Sequence, residues 1–430
     1  MLLNKPRAYE IMDKHKLDGL VAVNQINIYY LTDYWGPLMR MRRTFFNYAV
    51  LPRKEDAPAA LVATAVELLR FHETPNATWV PNICAYTHPL YYDRRDFDPD
   101  VEEPEAVQEG MRWPVRPGDQ GPAERDYLAF AQKFTGTYSV NATYALKKAI
   151  KDAGLENATV GTDDPRVITW LNEMGLPNLK GKEATTIFRE IRMVKSEPEL
   201  ALLRKASAMN EIAVNKCISS LHVGLPQTEL ELIYNVEIAK QGGKAVYMSN
   251  GHMGKRKGII QKDHLITFDG LCEYQHYHGD IGRFAICGTP TDEMLKRAEA
   301  VKFGCDVAYD MIKPGLKGKD LTKAVLDAVK AKGFEGFYIC TPHSVGLEHT
   351  DHPLPIGPMM PGSQGEFEFR ENMVFTLDMP YYEVGWGNLH LEDTVRVTKT
   401  GIEAFNSLDV SLRIIPPEGL TPGGVPRAAE

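Results

Sequence analysis

Two strand-like runs joined by a short return constrain this chain more than any other stretch. Gly258 to Phe268 and Ile281 to Cys287 are rich in apolar and β-branched residues and bounded by glycine, the pattern of paired strands. Asp269 follows the first run and Asp280 precedes the second. The spacing predicts that Asp269 closes one strand, that Asp280 opens the next, and that an antiparallel return brings their carboxylates face to face. Two buried like charges at contact distance repel and raise one pKa unless a cation lies between them. Such a pair is either a dyad sharing one proton or half of a metal site. The rest of the chain has to decide between them.

Length and charge narrow the setting. A chain of 430 residues divides into two or three domains. The net charge is −8, and no long lysine- or arginine-rich run is present, so a nucleic-acid partner has no electrostatic support. The short basic cluster Arg40-Met41-Arg42-Arg43 reads as a solvated face or a local anion contact. Cys84, Cys217, Cys272, Cys287, Cys305 and Cys340 are scattered without a CxxC pair, as reduced core thiols would be. The start, Met1-Leu2-Leu3-Asn4-Lys5-Pro6-Arg7, lacks the apolar region of a signal peptide. No run of about 18 apolar residues exists. The expectation is a cytoplasmic protein with no membrane partner.

Strand and helix patterns alternate over residues 1–65, with helix Arg7–His15 and strands at Asp18–Val23, Asn47–Leu51 and Ala59–Ala63. This predicts an α/β domain with a parallel or mixed sheet. Residues 86–127 break the rhythm with Tyr91-Tyr92-Asp93-Arg94-Arg95, an acidic run and several prolines. A long irregular excursion of this kind is a lid, a subunit contact or a plain surface insertion. A second domain is expected from residue 185, giving boundaries of 1–184 and 185–430. There Ser196 with Glu199, and Thr228 with Glu231, look like capping boxes ahead of two helices. The pattern helix, helix, strand pair then recurs, so the second domain reads as α+β.

The recurrence carries more candidate ligands. Pro342-His343-Ser344 begins one segment, Val374-Phe375-Thr376-Leu377 reads as a strand delivering Asp378, and Leu389-His390-Leu391 leads into Glu392 on another alternating strand. In chain order the set is Asp269, Asp280, His343, Asp378, Glu392, with the two aspartates eleven positions apart and Arg283 soon after the second. Four carboxylates and one imidazole suit a pair of divalent ions of intermediate hardness, because four negative charges balance two dications around an easily deprotonated water.

This ordered set resembles the pita-bread metallopeptidase family, which includes Xaa-Pro aminopeptidases, prolidases, creatinases and a dimethylsulfoniopropionate lyase. Ile191-Arg192 to Lys195-Ser196 through Glu199 is similar to the family's inter-domain signature, and Asn27-Ile28-Tyr29-Tyr30-Leu31-Thr32 more loosely to a family turn. The resemblance implies a creatinase-like N-terminal domain, a pita-bread catalytic domain, two divalent ions (manganese, iron, cobalt or zinc) and a homodimer. It implies that Asp269 chelates one ion, that His343 and Asp378 bind the other, and that Asp280 and Glu392 bridge. His252, seventeen positions before Asp269, matches a substrate-contacting histidine of the family. Two departures stand out. Asp378 takes a position that is glutamate in the peptidases, and the peptidases' second histidine is here Thr350, flanked by His349 and His352 as catalytic candidates.

The implied activity is hydrolysis of a C–N bond in a small substrate, an Xaa-Pro peptide or a small amide or amidine. The alternatives are a lyase of the dimethylsulfoniopropionate type, whose extra acid is here Leu271, and a non-catalytic relative. Side chains with an open role are His276 and His278, Glu348 and Asp351, Tyr381, Tyr382 and Trp386, and Arg396.

Overall fold

The computed structural model describes residues 1–74, 76–87, 114–116, 118–251, 258–353 and 367–421. Most of the 86–127 excursion and all of His252 therefore lie outside the described residues. The chain forms two compact units, Met1–Ile191 and Arg192–Glu430, so the division falls within the helix Thr185–Arg192.

The N-terminal unit is built on a mixed six-stranded sheet. Its strands are β1 (Gly19–Ala22), β2 (Tyr48–Pro52), β3 (Ala60–Thr64), β4 (Asn82–Tyr86), β5 (Thr159–Thr162) and β6 (Lys180–Glu183), in the order β4-β3-β2-β1-β5-β6. β1 runs antiparallel to β2 and parallel to β5. β1, β2 and β3 are buried along their whole length, which is why they read as continuous apolar runs rather than alternating ones. The helix Ala142–Asp152 buries Ala145, Leu146, Ala149 and Ile150 at helical spacing. Asn27–Thr32 is not a turn but most of a helix, Gln25–Thr32. The Asn24 side chain caps its first turn, accepting from the Ile26 amide at 2.9 Å, and Asp33 ends it in the left-handed region at φ 63°.

The C-terminal unit holds two sheets. One has the order β15-β9-β8-β7, from β7 (Lys244–Gly251), β8 (Leu265–Tyr274), β9 (Tyr277–Cys287) and, later in the chain, β15 (Arg413–Ile415). The other has the order β10-β11-β13-β14, from β10 (Thr341–Ser344), β11 (Val374–Glu383), β13 (Thr394–Val397) and β14 (Ile402–Ala404), with β12 (Gly387–Leu391) also paired to β11. Helices Glu197–Ser219 and Gln227–Lys240 share one apolar core with β8 and β9, whereas Asp292–Met311 and Gly318–Ala331 share another with β11, β12 and β13. Ser196 and Glu199 do form a capping box. Thr228 and Glu231 do not. That helix starts at Gln227 behind Pro226, whose fixed φ suits the entry, so Thr228 already lies inside its first turn.

The hairpin differs from its sequence reading in one respect that matters. Asp269 and Asp280 do not close and open their strands; both are internal to long ones. Asp269 lies opposite Gly282, and Asp280 opposite Leu271. Strand side chains alternate between faces, so the two aspartates share a face as diagonal neighbours rather than a direct pair. The tight turn at Gln275 and His276, with φ 46° and 70°, sets that register. On the opposite face the helix Glu197–Ser219 packs so closely that a Cβ on Gly279 would lie 2.5 Å from the Ala206 carbonyl. Asn210 of the same helix donates to the Gly279 carbonyl at 2.8 Å and to that of Gly270, clamping both strands beside the two acids.

Candidate metal centre

Four strands of this unit converge on the aspartate face. β8 and β9 supply Asp269 and Asp280, β10 supplies His343, and β11 supplies Asp378. Glu392, just beyond β12, comes within reach through an isolated antiparallel bridge to Gly282, with amide-to-carbonyl hydrogen bonds of 3.0 and 3.1 Å. Gly282 is required there. A Cβ would sit 2.8 Å from the Glu392 Cβ and 2.9 Å from the His390 Cδ2. Arg283, almost fully buried, secures the bridge. It donates to the Gly282 and Glu392 carbonyls at 2.7 and 2.8 Å, to Asp393 at 2.6 Å and to the Leu408 carbonyl at 2.7 Å. Tyr309 satisfies the other oxygen of Asp393.

Within the cluster, His343 Nε2 lies 3.6 Å from Glu392 Oε1, and His349 Nε2 lies 3.0 Å from Asp280 Oδ2. Ligand atoms of three overlapping groups lie within 4.8 Å of one another: Asp280, His343 and His349; His343, Asp378 and Glu392; Asp269, His390 and Glu392. Tyr247 of β7 adds a hydroxyl 3.3 Å from Asp269. Asp280 Oδ1 and Glu392 Oε1 are buried without a hydrogen-bond partner. Buried carboxylate oxygens are costly unless paired or bound to a cation, so the donor set fits divalent metal.

The electrostatics agree. Burial and the charges of Asp280, Asp378 and Asp269 hold Glu392 well above its ordinary value. Burial, reinforced by Asp280 and Asp378 and opposed by His390, pushes Asp269 up to about 6. Burial also works to raise Asp280, but His349, His343 and His390 outweigh it and keep that acid low. Burial lowers His343. It works against His349 as well, yet the hydrogen bond and charge of Asp280 leave that imidazole raised.

The open side chains separate cleanly. His349 joins the cluster, while His352, fully buried, belongs to none of the three groups. His278 is a buried strand residue whose ring nitrogen lies 3.0 Å from the Gly346 carbonyl. Glu348 and Asp351 both bind Arg192, whose Nε is 2.9 Å from Asp351, because a fully buried guanidinium needs paired anions. Arg396 turns to Glu403 and Asn372. Tyr381 packs on Phe334, Phe337 and Trp386. Leu271, buried opposite Asp280, offers no further acid.

One residue of the cluster escaped the sequence reading. His390 Nε2 lies 2.9 Å from Asp378 Oδ1 and 3.5 Å from Glu392 Oε2, and its Nδ1 lies 3.9 Å from Asp269 Oδ2. Burial acts to lower its pKa, but the hydrogen bond to Asp378 and the charges of Asp269, Asp378 and Asp280 raise it. The signal was present. In Leu389-His390-Leu391-Glu392 the two-residue period of a strand puts His390 on the side of Glu392.

The fold defines the class first: a pita-bread domain that follows a creatinase-like one in the sequence. Residues 201–399 match the model of metallopeptidase family M24. The chain is 26% identical over 242 residues to an Xaa-Pro dipeptidase of Pyrococcus horikoshii, covering 54% of this chain and 67% of that one. It is 24% identical over 249 residues to an Xaa-Pro dipeptidase of Lactobacillus helveticus, covering 54% and 65%. These alignments span about two thirds of each relative. Among solved structures, a dipeptidase of Pyrococcus horikoshii superposes with a TM-score of 0.68 at 17% identity, covering 96% of this chain and 99% of that one. An X-Pro aminopeptidase of Thermotoga maritima gives 0.66 at 16%, with the same coverage of each. No helix among the described residues is long and apolar enough to cross a membrane.

Proposed function

We propose that this protein is a two-metal hydrolase that cleaves the C–N bond of a small substrate, an Xaa-Pro dipeptide in the first instance. The observation that carries this reading is the set of orphaned oxygens, Asp280 Oδ1 and Glu392 Oε1, at the centre of a buried group of acids and imidazoles. Asp269 and Glu392 would hold one ion, and His343, Asp378 and Glu392 the other, with Asp280 between them. When bound, such ions supply an activated water and polarise the scissile carbonyl.

The protein's own groups do the remainder. His349 is the histidine of the cluster with a substantially exposed edge, 37% of its side chain, and Asp280 holds it in place. It is positioned to exchange a proton between the cluster and a bound substrate. Water adds its oxygen to the carbonyl carbon, the C–N bond breaks, and the leaving nitrogen takes a proton. The likeness to Xaa-Pro dipeptidases supports a dipeptide as the first substrate to try, and the family resemblance supports a homodimer, which light scattering reads directly.

The deciding experiment takes protein stripped by chelator and reloaded with manganese, cobalt or zinc. It is assayed on Xaa-Pro dipeptides, matched dipeptides without proline, and small amides and amidines. Release of free proline by the loaded protein alone is the expected result. Full activity after stripping overturns the metal role, and turnover of amides or amidines without dipeptide cleavage overturns the peptidase one.

A further inference from the structure

We infer that His390 is itself a metal ligand, through Nδ1, to the ion held by Asp269 and Glu392. The inference rests on the two-metal reading and extends it to a residue outside the ligand set given by resemblance.

The geometry is specific to one ring nitrogen. His390 is 5% exposed and stands in β12 opposite Pro380, which makes it a diagonal neighbour of Asp378 on the same face of the sheet. Its Nε2 is within hydrogen-bond distance of Asp378 Oδ1, at 2.9 Å. With Nε2 donating to that carboxylate, a neutral His390 ring carries its lone pair on Nδ1. Nδ1 is buried, has no hydrogen-bond partner, and faces Asp269 Oδ2 at 3.9 Å. Asp269, His390 and Glu392 offer ligand atoms within 4.8 Å of one another, with Glu392 Oε2 3.5 Å from Nε2 of the same ring. Two donors on one ion, each about 2.0–2.2 Å from it, are separated by no more than about twice that length, and the observed spacing lies close to that range. An imidazole that donates one N–H to a carboxylate and turns its other nitrogen to an ion is the ordinary arrangement of a metal-binding histidine.

The consequence is a change in metal preference. With His343 and His390 each on one ion, both positions carry an imidazole, which favours zinc or cobalt over magnesium or manganese relative to an all-oxygen site.

The test uses the full-length protein, stripped and then titrated calorimetrically with zinc and with manganese, alongside His390→Gln. The variant keeps a donor for Asp378 but loses the imidazole. We expect one of two zinc equivalents to weaken at least about tenfold, with manganese affected less, and the circular dichroism spectrum unchanged. Wild-type crystals loaded with zinc need no variant. They should show an anomalous peak about 2.1 Å from His390 Nδ1. Two zinc ions bound with wild-type affinity by the variant, or a zinc more than about 3 Å from Nδ1, overturn the assignment and leave the two-metal reading standing. A wild-type protein that takes up no divalent ion overturns both.

Discussion

Glu67 in the N-terminal unit and Glu392 in the C-terminal unit each have 2% of their surface exposed, yet they are buried in opposite ways. Glu67 accepts from the Tyr34 hydroxyl at 2.8 Å, the Asn47 amide at 3.0 Å and the Thr64 backbone at 3.1 Å. Asp163, in the same unit, takes the Val23 and Asn24 amides and the Asn27 side chain. Glu392 has an oxygen with no donor and three other acids for neighbours. A carboxylate that serves the fold is surrounded by donors supplied by the chain. One left short of donors, as Glu392 is, has a deficit that a cation would make up. The teaching lies in the donor count, since burial alone does not tell the two kinds apart.

That contrast breaks most visibly if acids of the second kind are neutralised. Asp280→Asn and Glu392→Gln should each lower activity and the affinity for one ion by more than about a hundred-fold. Melting of the metal-free protein should stay level or rise for Glu392→Gln, because like-charge repulsion is relieved, and should fall for Asp280→Asn, which gives up the pairing with His349. Calorimetry with and without metal reads both. Glu67→Ala should do the reverse. Three stranded donors should cost about 2–4 kcal/mol of stability, measured by denaturant titration, with metal content unaltered.

Gly282→Ala is the next smaller test. The added methyl meets the Glu392 and His390 side chains and the Glu392 amide at 2.8 to 3.0 Å. It should cost about 1–3 kcal/mol, and the metal affinity should fall because the colliding groups are themselves donors. Unchanged affinity would show that the bridge is dispensable.

The smallest effect is in pH. Burial raises the folded pKa of Glu67 and of Asp163 above their unfolded values of 4.5 and 3.8, although their hydrogen bonds oppose it. The folded state therefore binds more protons than the unfolded chain just above those values. The stabilising contribution is complete below the unfolded pKa and is lost as pH rises through the folded one. The loss is about 1.4 kcal/mol for each unit between the two. Glu67→Gln should flatten its share of this slope in unfolding curves taken across the window.

The legible parts of this protein are those written in local patterns. Helices with capping residues, such as Ser196 before Glu197–Ser219, and the long strands around Asp269 and Asp280 follow from periodicity and turn chemistry. The diagonal register of the two aspartates was not legible, because it depends on the two-residue turn at Gln275-His276. The pairing of Asp351 and Glu348 with Arg192 was hidden too, since those partners are more than 150 positions apart. His390 was within reach of the alternation rule, since it lies two positions ahead of Glu392 on the same face.

The bridge between Gly282 and Glu392 has one more consequence. Glu392 stands where a short strand runs out, a place where a side chain would ordinarily inherit the wander of a loop. Here its position is borrowed from the backbone of β9, through two peptide groups and the guanidinium of Arg283. Substitutions along that short strand can therefore accumulate while the spacing of the acids stays as it was.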